Sequence, residues 1–155
     1  MLFLKKNYKI FFLILLLGLI FYRSPYIFIN GRFIAEEGSW WFANAHDNGP
    51  LSGLTYIYWG SSYYNFWANL SAVIASFFPL EIAPLVTVYM ALIVKIYLFL
   101  YILYSDSNFL KSKFDKSIVS LILLLTPMMT STIWLNTLVS QIYFTIIVIL
   151  IFFQK

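Results

Sequence analysis

The stretch LVTVYMALIVKIYLFLYILY, residues 85–104, runs for twenty residues with a single charged side chain, Lys95. As an α-helix it would be about 30 Å long, which is the thickness of a bilayer's hydrocarbon core. Residues 9–29, 117–134 and 140–153 are apolar as well, and residues 66–78, "FWANLSAVIASFF", form a shorter run. The chain is 62% hydrophobic and 10% charged, whereas a soluble domain is about a quarter charged. These features predict an all-α membrane protein with about four transmembrane helices. Cysteine is absent from the sequence, which excludes disulfides, thiolate metal sites and thiol nucleophiles.

The charges set the expected orientation. Lysines gather at Lys5, Lys6 and Lys9, at Lys111, Lys113 and Lys116, and at Lys155, each group flanking an apolar run. Basic residues beside spans mark the cytoplasmic side, so the net charge of +4 reads as topology and not as a nucleic-acid surface. The first run lacks a small-residue cleavage site and is taken as a retained span. Two topologies compete for residues 66–78. If they cross the membrane, the loop lysines fall outside and Glu81 falls inside. If they lie along the outer face as an interfacial helix, every lysine cluster is inside, and Arg32, Glu36, Glu37, Asp47 and Glu81 are outside. The second arrangement obeys the charge rule throughout. It predicts one membrane domain over residues 1–155, with an outer loop at 30–84. Both termini are then cytoplasmic, in a multi-pass protein of the inner membrane.

The polar residues on the expected outer side are few. Glu36 and Glu37 are adjacent, so on a regular element they point in different directions. One can meet a substrate while the other orients it or caps a helix. The pair equally suits a solvated surface, with Trp40 and Trp41 as interface anchors. His46 is the sole histidine; with scattered carboxylates it makes a weak zinc pattern and suits a carboxylate-bound divalent cation better. Asn65 and Asn69 share a helix face beside Trp67. Asn136 and Gln141 flank the turn before the last span, where amides bind either a polar substrate or the loop itself. Lys95 sits at mid-span, where a charge is costly, and either serves a function or snorkels along its own stem. No Ser-His-Asp order, phosphate-binding glycine loop or internal repeat is visible.

The order of parts resembles the start of the C-type (GT-C) membrane glycosyltransferases. It has a basic inner end, one span, an outer loop opening on an acidic pair, an interfacial helix and then further spans. "RFIAEEGSWWFANA" is similar to bacterial members reading Arg-Phe-x-Ala-Glu-(Asp/Glu)-Gly, "FFPLEIAPLV" to the segment before their second span, and "NTLVSQIYF" to a later Asn-rich turn. The resemblance covers roughly residues 25–150. It implies transfer of a sugar from a polyprenyl-phosphate donor to an acceptor on the outer face, in the cell envelope. Glu36 would then be the general base. Glu37 would orient it or hold a divalent cation, and Arg32 would meet the phosphate. Trp40, His46, Asn69, Asn136 and Gln141 complete the expected substrate-binding set. The chain departs from the family in offering only Asn136 and Gln141 where members often have a second acidic residue. It also has fewer spans than such enzymes, which implies an N-terminal portion, inactive alone, that a second membrane chain would complete. The alternative is a non-catalytic four-span scaffold or accessory subunit.

Overall fold

The computed structural model describes residues 7–34, 36–60, 62–106, 109–125 and 135–154. Lys5, Lys6, Lys155 and the part of the expected third span beyond residue 125 lie outside the described residues, as does the start of the polar patch 131–141. The described chain is helical, and no strand forms within it; the nearest approach is an isolated bridge between Tyr58 and Tyr63.

Helix α1 spans Tyr8–Arg23 and α2 spans Pro25–Asn30. The break has a local cause: the proline ring disfavours helical geometry at the residue before it, and Ser24 is extended at φ −157°. Pro25 itself opens α2, where no intrahelical N–H is needed. The expected span 9–29 is therefore two pieces. Gly31 ends α2 at φ +61°, and a side chain there would meet the backbone nitrogen of Leu85 at 2.6 Å. The chain can cross the start of the long helix only because that side chain is missing.

A cap of short helices follows. A π-helical turn spans Glu37–Phe42, α3 spans Ala43–Asn48 and α4 spans Pro50–Leu54. Helix α5, Phe66–Ser76, is capped by the Asn65 side chain, which accepts from the Ala68 N–H at 3.1 Å. Trp41, Ala45, Ala68, Ala72 and Val73 form the cap's own core. The segment expected to be interfacial is thus half-buried against α3, α4 and the π turn.

Helix α6, Ala83–Tyr104, is the one described helix long and apolar enough to cross a membrane, with 22 residues and a mean hydropathy of 2.2 over an 18-residue stretch. Helix α7, Lys113–Leu125, and α8, Ser140–Phe152, have 13 residues each, so each is short of a full crossing as described. Helix α6 packs against α8, α5, α2, α7 and α1.

Contacts fix the directions of the helices. At one end, Lys9 of α1 lies 4.4 Å from the Tyr104 ring at the foot of α6, and Lys113 of α7 lies 4.7 Å from the Tyr8 ring. Lys116 donates to the Ser105 carbonyl, and Phe109 meets Phe153 edge-on at 4.6 Å. At the other end, Arg23 of α1 donates to the Leu124 carbonyl of α7 at 2.9 Å. Gly31 touches the start of α6, and residues 135–139 lead into α8. The helices α1, α6, α7 and α8 therefore alternate in direction. The described lysines other than Lys95 sit at one end, and the cap covers the other. Between the ends, Tyr89, Ile93 and Tyr97, four residues apart on α6, stay exposed, as do Ile118 and Ile122 on α7 and Val148 and Phe152 on α8.

Candidate functional site

The cap and the turn before α8 are joined through one carboxylate. Glu37, 3% exposed, accepts the Thr137 backbone N–H at 2.7 Å and the Thr137 hydroxyl on one oxygen. Its other oxygen accepts the Ile34 N–H at 3.2 Å. Asn136 adds a fourth link by donating to the Ile34 carbonyl at 3.2 Å, while its own oxygen accepts the Leu138 N–H at 2.6 Å. Burial raises the Glu37 pKa above the ordinary carboxylate value, and the bonds from Thr137 and Ile34 oppose the shift. Three converging donors make a pocket for an anion. A hard cation needs several oxygens around it, and among the described residues no three of His, Asp and Glu come together. The divalent cation expected at Glu37 does not fit this setting.

Glu36 precedes the π turn and is exposed. Its carboxylate is close enough to raise the Tyr63 pKa, which burial raises first and an Asn65 hydrogen bond lowers. Asn65 in turn belongs to a groove of about 450 Å³ whose other walls are Tyr64, Phe66, Trp67, Gln141 and Phe144. Asn65 also donates to the Leu138 carbonyl at 3.3 Å, and Trp67 donates to the Met90 carbonyl at 3.3 Å. The groove therefore lies between the start of α5, with the segment before it, and the first turns of α8, and its walls are mainly aromatic.

The expected site residues separate into two groups. Gln141 lines this groove; Glu36 is not among its lining residues and is exposed. Trp40 and Arg32 are exposed on the same cap, and His46 is exposed with its ring stacked 5.4 Å from Phe42. Asn69 and Asn136 turn inward. Asn69 is fully buried and donates to the Leu54 and Tyr56 carbonyls at 3.0 and 2.8 Å, which ties the cap loop to α5. Thr137 and Tyr63 were not singled out by the sequence, and Asn65 was noted only for the helix face it shares with Asn69. Thr137 lies 100 positions from its partner, a separation that no periodicity reports.

A second concavity, about 350 Å³, lies on the outer surface of the cap between α3 and the loop after α4. Ser39, Trp40, Ala43, Asn44, Asp47, Asn48, Tyr56 and Trp59 line it.

Comparison of the chain with protein-family models, with curated proteins and with solved structures returns no match.

Proposed function

We propose that the chain is the four-span N-terminal part of a C-type membrane glycosyltransferase, moving a sugar from a polyprenyl-phosphate donor to an acceptor hydroxyl on the outer face. The observation that carries this reading is an aromatic groove with Tyr64 and Asn65 in its wall, next in sequence to Tyr63, the residue whose ionisation the exposed Glu36 carboxylate influences. The alternating helices with apolar outer faces support the membrane part, because contiguous exposed apolar surface of this kind is rare in water. Lysines at the opposite end support an inside location for that end. The groove descends from polar cap to apolar helix, which suits a ligand with a charged head and a hydrocarbon tail.

In the reaction, the acceptor oxygen attacks the anomeric carbon, the bond from that carbon to the phosphate oxygen breaks, and polyprenyl phosphate leaves with the bonding electrons. Glu36 takes the acceptor's proton, a contribution of about 10²–10⁴-fold. Arg32, four positions before Glu36 in the sequence, would meet the leaving phosphate through charge-assisted hydrogen bonds. Glu37 is a positioning residue: its bonds to Thr137 and Ile34 hold the loop that carries Glu36. No step passes through a metal.

The second reading, a non-catalytic scaffold, is favoured by the inward use of Glu37, Asn69 and Asn136. A photoactivatable polyprenyl-phosphate hexose separates the two. In proteoliposomes it should label the chain at α5 or α8, with competition by unlabelled donor and loss of labelling in Arg32→Ala. Labelling no stronger than that of an unrelated four-span protein would remove the enzyme reading and leave the scaffold.

A further inference from the structure

We infer that the concavity on the outer surface of the cap is a binding site for a neutral hexose unit of a glycan. It deepens the reading of this face, yet it stands on different residues from Glu36 and its groove. Three aromatic rings and four polar side chains share the bowl: Trp40, Tyr56 and Trp59 with Ser39, Asn44, Asp47 and Asn48. Trp59 is 80% exposed, beside Tyr58 of the Tyr58–Tyr63 bridge. Trp40 meets Tyr58 edge-on at 5.5 Å, and Tyr56 meets the buried Trp41 edge-on at 5.9 Å. The Trp40 and Tyr56 walls are therefore set before any ligand arrives, and the exposed Trp59 indole is free to close over one.

An aromatic face carries partial negative charge, and the C–H face of a pyranose is weakly positive, so the two stack. The hydroxyls of the sugar edge then need acceptors and donors. The exposed Asp47 carboxylate accepts them. Asn48 is steadied by donating to the Asn44 oxygen at 2.9 Å, and Asn44 donates to Ser52 at 3.2 Å. That tie holds the Asn48 amide through its nitrogen and presents its carbonyl oxygen to a hydroxyl. A lipid-facing surface would not gather two amides and a carboxylate. A cation site would need more than this one carboxylate. The volume, about 350 Å³, falls within the range of small-ligand sites.

The test is a titration of the purified chain, in a detergent without a sugar headgroup, with cellotriose, maltotriose, mannotriose and chitotriose. The readout is tryptophan fluorescence. At least one trisaccharide should give a saturable change with a Kd of about 1 mM. Asp47→Ala should weaken it about tenfold, a step that one lost charge-assisted contact supplies. Trp59→Ala should abolish it and Trp59→Phe should keep it, with thermal unfolding unchanged in all three. No saturable change with any of the four up to roughly 10 mM, ten times the expected Kd, would overturn the site, as would equal binding by Trp59→Ala. Because Glu36 lies outside the bowl, Glu36→Gln should bind the trisaccharide unchanged, so failure here and failure of the transfer reading are read separately.

Discussion

A carboxylate that is 3% exposed persists only where donors replace water, and Glu37 has the N–H groups of Ile34 and Thr137 and the Thr137 hydroxyl. Glu37→Ala leaves all three donors buried without an acceptor. Glu37→Gln keeps one oxygen but turns an NH₂ toward a donor, at a cost of about 1–3 kcal/mol. Both should lower the unfolding temperature in detergent, alanine more. The pH dependence has a definite sign. Because the folded pKa is raised above its reference value of 4.5, the folded state holds the proton more readily than the unfolded chain. The stability of the wild type relative to Glu37→Gln should therefore rise as pH falls through the folded pKa, with the gain complete below 4.5. A relative loss on acidification would mean that the charged form is the one the loop requires. Glu36 is exposed and makes no such bonds among the described residues, so Glu36→Gln should leave unfolding unchanged. In an assembled enzyme it should reduce transfer by about 10²-fold or more, the share of a general base.

At the scale of elements, Gly53 shows how closely the cap is packed. A side chain there would meet the Ala45 Cβ at 2.6 Å and a Val73 methyl at 2.8 Å, so α4 lies directly on α3 and α5. Gly53→Ala should destabilise the cap by about 1–3 kcal/mol, the usual cost of overpacking, seen as a lower unfolding temperature. The helical pieces themselves were legible because runs such as 85–104 leave the backbone one way to satisfy itself without water. Pro25 and Gly31 likewise announce the ends they make. The destinations of the amides were not legible. Asn69 and Gln141 look alike as polar residues at helix ends, yet one is buried on the Leu54 and Tyr56 carbonyls and the other lines a groove. Spacing reports which face a residue shares, not what lies 100 positions away, so the Glu37–Thr137 bond left no trace in either local pattern. The orientation of the helices is testable directly, because the native chain has no cysteine. Leu51→Cys, exposed on α4, should react with an impermeant maleimide in intact cells, and Lys111→Cys only after the membrane is opened. Labelling of Lys111→Cys from outside would reverse the proposed topology.

For the molecule as a whole, the question is whether these helices can enclose a reaction. The groove has walls from α5, the segment before it and α8; no further described helix closes it. Its neighbour α8 keeps Ile142, Val148 and Ile151 exposed beside the wall residue Phe144. A site that buries most of its ligand needs a wall on each side. One left open along its length also leaves the proposed base, Glu36, hydrated, and hydration weakens the electrostatic advantage of a closed site. Under the proposed reading, the exposed side of α8 is where further spans, or a second membrane chain, would complete that wall. Residues 1–155 in proteoliposomes should therefore retain the photoactivatable donor but show no turnover with any polyprenyl-phosphate hexose. Turnover should appear only when the spans that cover α8 are supplied, and a bulky charge on that face, Val148→Arg, should prevent it without altering donor labelling. Measurable transfer by residues 1–155 alone, lost in Glu36→Gln, would show instead that these helices suffice and that the open side of the groove is the donor's route in from the bilayer.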